Sequence, residues 1–308
     1  MSDTTTVTMK AGNRTVTVHR PGKVLFPDCG LTKADVADYY RRMAAFTVPQ
    51  LRGRPLMLER RPDGTEGPRF MQKDTPAHYP EWVRRVRVPK EGGTVTHTVC
   101  DNSATLVFLA DQACLTLHRW LSRADRADRL RPDRLIFDLD PPGDDFPAVR
   151  EAAHRLGELL DQLRLPSTLM TTGSKGVHVI VPLDRNTTFD DSRAFAREVA
   201  EVLAARHPDD LTTAARKQAR GDRLYLDVGR NAYAQTAVAP WSARAREGAP
   251  VAAPVSWEQL DDKQLTARTW SLTDIDGVLE QARANPWSGV SSRGRALGPA
   301  RGRLRALR

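Results

Sequence analysis

From Leu135 onward the sequence alternates strand-like and helix-like segments, and their order restricts the topology more than any other feature of the chain. Leu135-Ile136-Phe137-Asp138-Leu139-Asp140 reads as a short strand, stopped by Pro141-Pro142, which cannot continue a hydrogen-bonded ladder. Val149, Ala152, Leu156, Leu159, Leu160 and Leu163 then recur at helical spacing up to Pro166. Residues 168–171 and 177–181 form two more strands, joined by Thr172-Gly173-Ser174-Lys175-Gly176. A second helix over residues 190–206 carries Phe195, Val199, Val202 and Leu203 on one face, and residues 223–228 make the last strand. The order β-α-β-β-α-β is the split βαβ arrangement of RNA-recognition-like sheets, in which the first and third strands are central neighbours. An α+β fold is therefore expected, with the last strand toward one edge of the sheet.

Side chains alternate faces along a strand, so Asp138 and Asp140 project to one side while Phe137 and Leu139 pack on the other. Two carboxylates held this close repel each other unless a proton or cation sits between them, and hard oxygen donors suit Mg²⁺ or Mn²⁺. In the split order, Asp227 on the last strand comes near the pair and supplies a third carboxylate. Three carboxylates on one face can hold two divalent ions, which suits in-line attack of a 3′-hydroxyl on a nucleoside triphosphate. Gly173-Ser174-Lys175-Gly176 offers backbone donors and an ammonium, with His178 on the adjoining strand, a combination that suits the β- and γ-phosphates. Each feature has a plain structural reading as well: exposed acids, a hairpin turn, a satisfied core histidine. Their joint occurrence favours the nucleotide site.

Lysine and arginine total 47 against 38 acids, a net charge of +9, which favours a polyanionic partner. The N-terminal part reads as a hairpin over residues 5–18, then a loop carrying Lys23, then Thr32-Lys33-Ala34-Asp35, whose capping-box spacing opens a helix to about Ala45. Lys23, Lys33 and a helix N-terminus together make a phosphate site, with two solvated lysines as the plain alternative. Strands are expected over residues 55–59, 83–88 and 94–99. Phe70-Met71 lies among Arg60, Arg61, Arg69 and Lys73, where Phe70 either stacks on a base or plugs the core. Leu106, Leu109, Ala113, Leu117 and Leu121 predict a helix over residues 103–120 with His118 near its end, and residues 275–284 predict a last helix. The end beyond residue 290 has arginines and no acids, which reads as disorder, with a polyanion contact as the second choice. The expected organisation is one domain over residues 1–285, with an N-terminal lobe (1–130) carrying the two lysines and a second part (131–285) carrying the acidic strands and flanking helices, followed by a basic tail (286–308). Cys29, Cys100 and Cys114 are odd in number and widely spaced, which argues against a disulfide framework or a zinc cluster. A polar start and the lack of any long apolar run predict a cytoplasmic protein with no membrane partner.

Phe137-Asp138-Leu139-Asp140-Pro141, Gly173-Ser174-Lys175-Gly176-Val177-His178, and Leu226-Asp227 with Thr236-Ala237-Val238-Ala239-Pro240-Trp241-Ser242-Ala243-Arg244 resemble the three catalytic motifs of the polymerase domain of bacterial ligase D. That domain is a branch of the archaeo-eukaryotic primase superfamily that works in non-homologous end joining. Lys23-Val24-Leu25-Phe26-Pro27, Thr32-Lys33 and Asp38-Tyr39-Tyr40 resemble it too, and the likeness covers about residues 15–275.

The resemblance implies a primase-polymerase fold and a template-dependent nucleotidyltransferase, a metal-dependent polymerase that adds nucleotides to 3′-hydroxyl ends at DNA breaks or gaps. It further implies two divalent ions, Mn²⁺ preferred over Mg²⁺, and NTP or dNTP substrates, with ribonucleotides favoured. Asp138, Asp140 and Asp227 would be the catalytic metal ligands. Thr172, Ser174, Lys175, His178, Arg230 and Arg244 would hold the nucleotide's phosphates, and His118 would lie near its sugar. Lys23 and Lys33 would grip the DNA 5′-phosphate, and Phe70 would stack on the template. The implied partners are 5′-phosphorylated broken or gapped DNA at the nucleoid, a Ku-type end-binding protein and a DNA ligase on a separate chain, since 308 residues leave no room for the family's ligase and nuclease domains. The alternatives are a de novo DNA primase and a catalytically weak DNA-end-binding subunit of a repair complex.

Overall fold

The computed structural model describes residues 5–124, 131–290 and 294–307. In chain order the elements begin with a hairpin, β1 (Thr6–Ala11) and β2 (Arg14–His19), followed by β3 (Val24–Phe26) and β4 (Leu31–Thr32). Helix α1 (Lys33–Arg42) opens on the expected capping box: Asp35 N donates to Thr32 Oγ1 at 3.3 Å, and Thr32 N donates to Asp35 Oδ2 at 2.7 Å. The chain then breaks at Met43 and continues as α2 (Ala44–Leu51), so the single helix expected to residue 45 is two. Next come β5 (Leu56–Arg60), β6 (Phe70–Gln72), β7 (Arg85–Lys90), β8 (Gly93–Thr98), α3 (Ser103–Asp111) and β9 (Cys114–Trp120). The long helix expected over residues 103–120 thus ends at Asp111. Ala113 adopts a left-handed φ of 55°, and the rest of that run is a strand, which puts His118 on β9.

The following stretch contains β10 (Arg134–Asp140), α4 (Phe146–Gln162), β11 (Thr168–Thr171), β12 (Val177–Pro182), α5 (Phe189–Arg206), β13 (Leu211–Thr212) and β14 (Leu224–Asp227). After it come β15 (Thr236–Val238), β16 (Pro254–Val255), α6 (Trp257–Leu260), α7 (Ile275–Ala284) and α8 (Leu297–Ala306). Two compact units result. The first holds Met1–Asp125, Thr236–Ala253 and Trp270–Ala284, and the second holds Arg126–Gln235, Pro254–Thr269 and Asn285–Arg308. The first unit is discontinuous in sequence, since residues 236–253 and 270–284 return to it. The pairing explains the return, because β15 extends a sheet of order β15-β9-β5-β6. This unit's core includes Phe26, Tyr39, Tyr40, Leu56, Leu106 and Leu117, all fully buried.

The second unit is built on a sheet of order β13-β14-β10-β12-β11-β16, in which β10 is antiparallel to both β12 and β14. The four inner strands stand as the split βαβ order requires, and β13 and β16 extend the two edges. Helices α4 and α5 bury Val149, Leu156, Leu160, Phe195, Val199 and Leu203, and Phe137, Leu139, Val179 and Val181 of the sheet are equally buried. Burial of this apolar set is the main stabilising term for the unit.

Beside Ile136, ahead of the point where β14 pairs with β10, a side chain does the work of a strand. Asn231 accepts from Ile136 N at 2.9 Å and donates to Ile136 O at 2.6 Å and to Val228 O at 3.0 Å. Asn231→Ala would strand two buried backbone groups on the strand that carries Asp138. Each such group costs about 1–3 kcal/mol, so a loss of roughly 3 kcal/mol is expected in a denaturant titration. A midpoint unchanged from wild type would contradict this role.

The basic end, expected to be disordered, forms α8 instead. Leu297, Ala300 and Leu304 are buried, Arg303 Nη1 donates to Leu163 O at 3.1 Å, and Arg301 pairs with Glu198 at 3.5 Å and lies over the Phe195 ring. Residues 291–293 and 308 of that predicted tail lie outside the described residues. The three cysteines are free. Among the described residues, no helix is long and apolar enough to cross a membrane.

Candidate active site

The register of β10 and β14 sets Asp138 directly opposite Asp227, and Asp140 two residues on points to the same face. One carboxylate oxygen from each of Asp138, Asp140 and Asp227 lies within 4.8 Å of the others. The three do not share one environment. Asp138 is buried, and His178, opposite it on β12, brings Nε2 to 3.4 Å while Arg230 Nε lies at 3.3 Å. Burial works to raise the Asp138 carboxyl, but the neighbouring His178 and Arg230 outweigh it and hold the carboxyl below the usual aspartate range. Asp140 has no such paired cation among the described residues, and burial with the charges of Asp138 and Asp227 pushes its carboxyl up to about 6 against the weaker opposing pull of Arg230 and His178. Asp227 is fixed by Gly229 N at 2.7 Å and by the Tyr225 hydroxyl at 3.4 Å. This is a hard oxygen donor set with uncompensated negative charge, and it fits a divalent cation.

The turn between β11 and β12 closes over the end of β10. Thr172 donates to Gly176 O from both its N–H and its hydroxyl, each at 3.0 Å. Gly173 has a φ of +62°, which favours glycine. Gly176 lacks a side chain for another reason, since a Cβ there would stand 1.8 Å from Leu139 O. Ser174 is held through its carbonyl, which accepts from Arg268 Nε at 2.9 Å. Lys175 is exposed and pairs loosely with Asp144 at 3.2 Å, leaving its ammonium available to an anion. His178 is buried, and its Nδ1 has no hydrogen-bond partner among the described residues. The second unit thus brings together Asp138, Asp140, Asp227, Thr172, Ser174, Lys175, His178 and Arg230.

The remaining predicted residues belong to the first unit. His118 lies on β9 between Met57 of β5 and Val238 of β15, and Arg244 N donates to Pro250 O at 2.8 Å. Phe70 on β6 is 52% exposed, so it does not plug the core. Lys23 and Lys33 are joined through the backbone, with Lys33 N donating to Lys23 O at 2.8 Å. Their ammonium groups differ. Lys23 meets the exposed Asp63 at 2.8 Å, whereas Lys33 is buried and faces the buried Asp111 at 3.6 Å.

Asn231, Gly229, Arg268 and Asp111 support these sites without having stood out in the sequence. Of the four, only Asp111 carried a signal, as a lone acid in an apolar run.

Residues 32–287 match the family model described as "LigD, primase-polymerase domain". The chain is 35% identical over 251 residues to the multifunctional non-homologous end joining protein LigD of Mycolicibacterium smegmatis, covering 81% of this chain and 33% of that protein. It is 31% identical over 281 residues to the Pseudomonas aeruginosa protein of the same description, covering 91% and 33%. It therefore spans about a third of the length of these curated relatives. Among solved structures, the polymerase domain of Mycobacterium tuberculosis ligase D, in complex with DNA, superposes with a TM-score of 0.81 at 31% identity, covering 90% of this chain and 99% of that one. The chain belongs to the LigD primase-polymerase domain family.

Proposed function

We propose that this chain is a metal-dependent, template-directed nucleotidyltransferase that extends 3′-hydroxyl ends at DNA breaks and gaps during non-homologous end joining, with ribonucleotides preferred. The observation that carries the reading is the cluster of Asp138, Asp140 and Asp227 on one sheet face, bordered by His178, Arg230 and the turn with Lys175. A solved relative bound to DNA supports the substrate class. Two divalent ions, Mn²⁺ or Mg²⁺, would be held by the three aspartates, activating the attacking hydroxyl and offsetting triphosphate charge.

The chain's own groups have distinct tasks in this reading. Arg230 and His178 keep Asp138 ionised, so a ligand oxygen is ready at neutral pH. Asp140 would release its proton on holding a cation, since its raised value comes from burial and like charges that a cation would offset. Lys175 can exchange the exposed Asp144 carboxylate for phosphate oxygens, and His178 is the second group that the family resemblance assigns to the phosphates. By the family resemblance, Lys23 and Lys33 would take a 5′-phosphate, Phe70 would stack on the template, and His118 and Arg244 would serve the sugar and phosphates of a nucleotide. A Ku-type end-binding protein and a DNA ligase activity are the partners this chemistry calls for, at the nucleoid. The test is extension of a labelled primer on a gapped, 5′-phosphorylated duplex with Mn²⁺ or Mg²⁺. Template-directed extension is expected, and binding without extension would support an end-binding role instead.

A further inference from the structure

Lys33 is an unusual anion ligand, because its ammonium lies almost wholly inside the protein at 6% side-chain exposure. A cation so placed keeps its charge only beside a compensating acid. Asp111, at the end of α3 and 3% exposed in its side chain, is that acid. Its Oδ1 stands 3.6 Å from Lys33 Nζ and accepts from His19 N at 2.7 Å, while Oδ2 faces His19 Nδ1 and Gln112 Nε2, each at 3.1 Å. One carboxylate therefore ties the end of β2, the start of α1 and the end of α3 beneath the two lysines. Lys23 is arranged otherwise, since its partner Asp63 is 66% exposed in its side chain and free to swing away.

We propose that Asp111 is the positioning residue of the 5′-phosphate site: it holds the buried Lys33 ammonium charged and in place, making Lys33 the fixed anchor and Lys23 the mobile one. This rests on the reading of Lys23 and Lys33 as phosphate ligands. It also makes a prediction opposite to simple charge counting. Removing an acid near an anion site should strengthen anion binding, whereas loss of Asp111 weakens it. Among the described residues, Asp111 from α3 and Arg20 and Lys23 from the loop act on Lys33, and His19 from β2 bonds the same Asp111. Burial pulls the Lys33 ammonium below its usual range, Asp111 opposes that pull, and Arg20 and Lys23 add to it.

The experiment compares binding of gapped duplexes with a 5′-phosphate and a 5′-hydroxyl, from about pH 7 to 10. Wild type prefers the phosphate. In Asp111→Asn, which keeps an oxygen for His19 N, that preference falls about tenfold, and what remains fades at a lower pH than in wild type. Asp63→Asn keeps the preference or raises it. Lys33→Arg, alone or combined with Asp111→Asn, moves the alkaline fade to higher pH, because a guanidinium stays charged throughout and only Lys23 is left to titrate. An undiminished preference in Asp111→Asn would overturn the proposal. Should that variant not fold, Lys33→Arg decides alone, and an unmoved alkaline limb overturns it. A wild type that ignores the phosphate shows that the end-phosphate reading itself is wrong, and the role of Asp111 goes with it.

Discussion

Asp140→Asn is expected to abolish nucleotide addition while making the metal-free chain more stable. The carboxyl of Asp140 is pushed up to about 6 by burial and by the charges of Asp138 and Asp227. Between the ordinary aspartate range and that value, the native state holds a proton that the unfolded chain has released. Wild-type stability therefore falls as pH rises through the window, and the variant escapes the fall. After allowance for solvent screening, the gain near neutral pH is about 1–2 kcal/mol. On activity the sign reverses. A lost metal ligand removes several kcal/mol of transition-state stabilisation, and at about 1.4 kcal/mol per factor of ten this is roughly a thousandfold in rate. Thermal melting with and without Mn²⁺ checks both halves. The ion should raise the wild-type midpoint and leave the variant's nearly unmoved. A variant less stable than wild type at neutral pH, or still active, would contradict the electrostatic description of the site.

Gly176→Ala should be the most damaging small substitution in the turn between β11 and β12. Its Cβ would stand 1.8 Å from Leu139 O, and Leu139 lies between Asp138 and Asp140 on β10. Backbone cannot yield as a flexible side chain does, so either the turn lifts or the strand moves. Overpacking of this kind costs about 1–3 kcal/mol or more, and a displacement of about 1 Å at reacting groups can cost roughly a hundredfold in rate. Gly173→Ala bears the left-handed penalty of about 1–2 kcal/mol, and its loss of activity is expected to be smaller than that of Gly176→Ala. Rates and denaturant midpoints for the pair separate the two effects. Equal activity in both would show that the approach of Gly176 to β10 does not position the acids.

The second unit's sheet was legible in the sequence because its signals were local. Pro141-Pro142, the Gly173 to Gly176 turn and the apolar faces of α4 and α5 each mark a boundary or a face, and their order dictates strand neighbours. Asp227 could be placed near Asp138 for the same reason, and the register bears that out. The run after Ser103 was misleading, since β9 lies inside a sheet and six of its seven residues are buried, leaving no alternation to mark a strand. Its start is set by Ala113 in a left-handed conformation, which no glycine announces. The basic end read as disorder because arginines dominate it. Three apolar residues, Leu297, Ala300 and Leu304, suffice to seat a helix on α5 once that partner exists.

Supporting contacts were the least legible part of the sites. Asn231 closes a gap in backbone pairing, Gly176 makes room for a carbonyl, and Asp111 neutralises a lysine 78 positions earlier in the chain. Such roles depend on neighbours that only the fold supplies. The return of β15 to the first unit's sheet is of the same kind, as a three-residue strand carries too little pattern to declare its partner.

Metal-dependent extension of a primer on a gapped, 5′-phosphorylated duplex, measured side by side for wild type and Asp138→Ala, tests the assignment of the acidic cluster most directly. Wild type should add the templated nucleotide only when Mn²⁺ or Mg²⁺ is present, and Asp138→Ala, still folded and still binding the duplex, should add none. Extension that survives in the variant would contradict the assignment of Asp138, Asp140 and Asp227 as the catalytic centre.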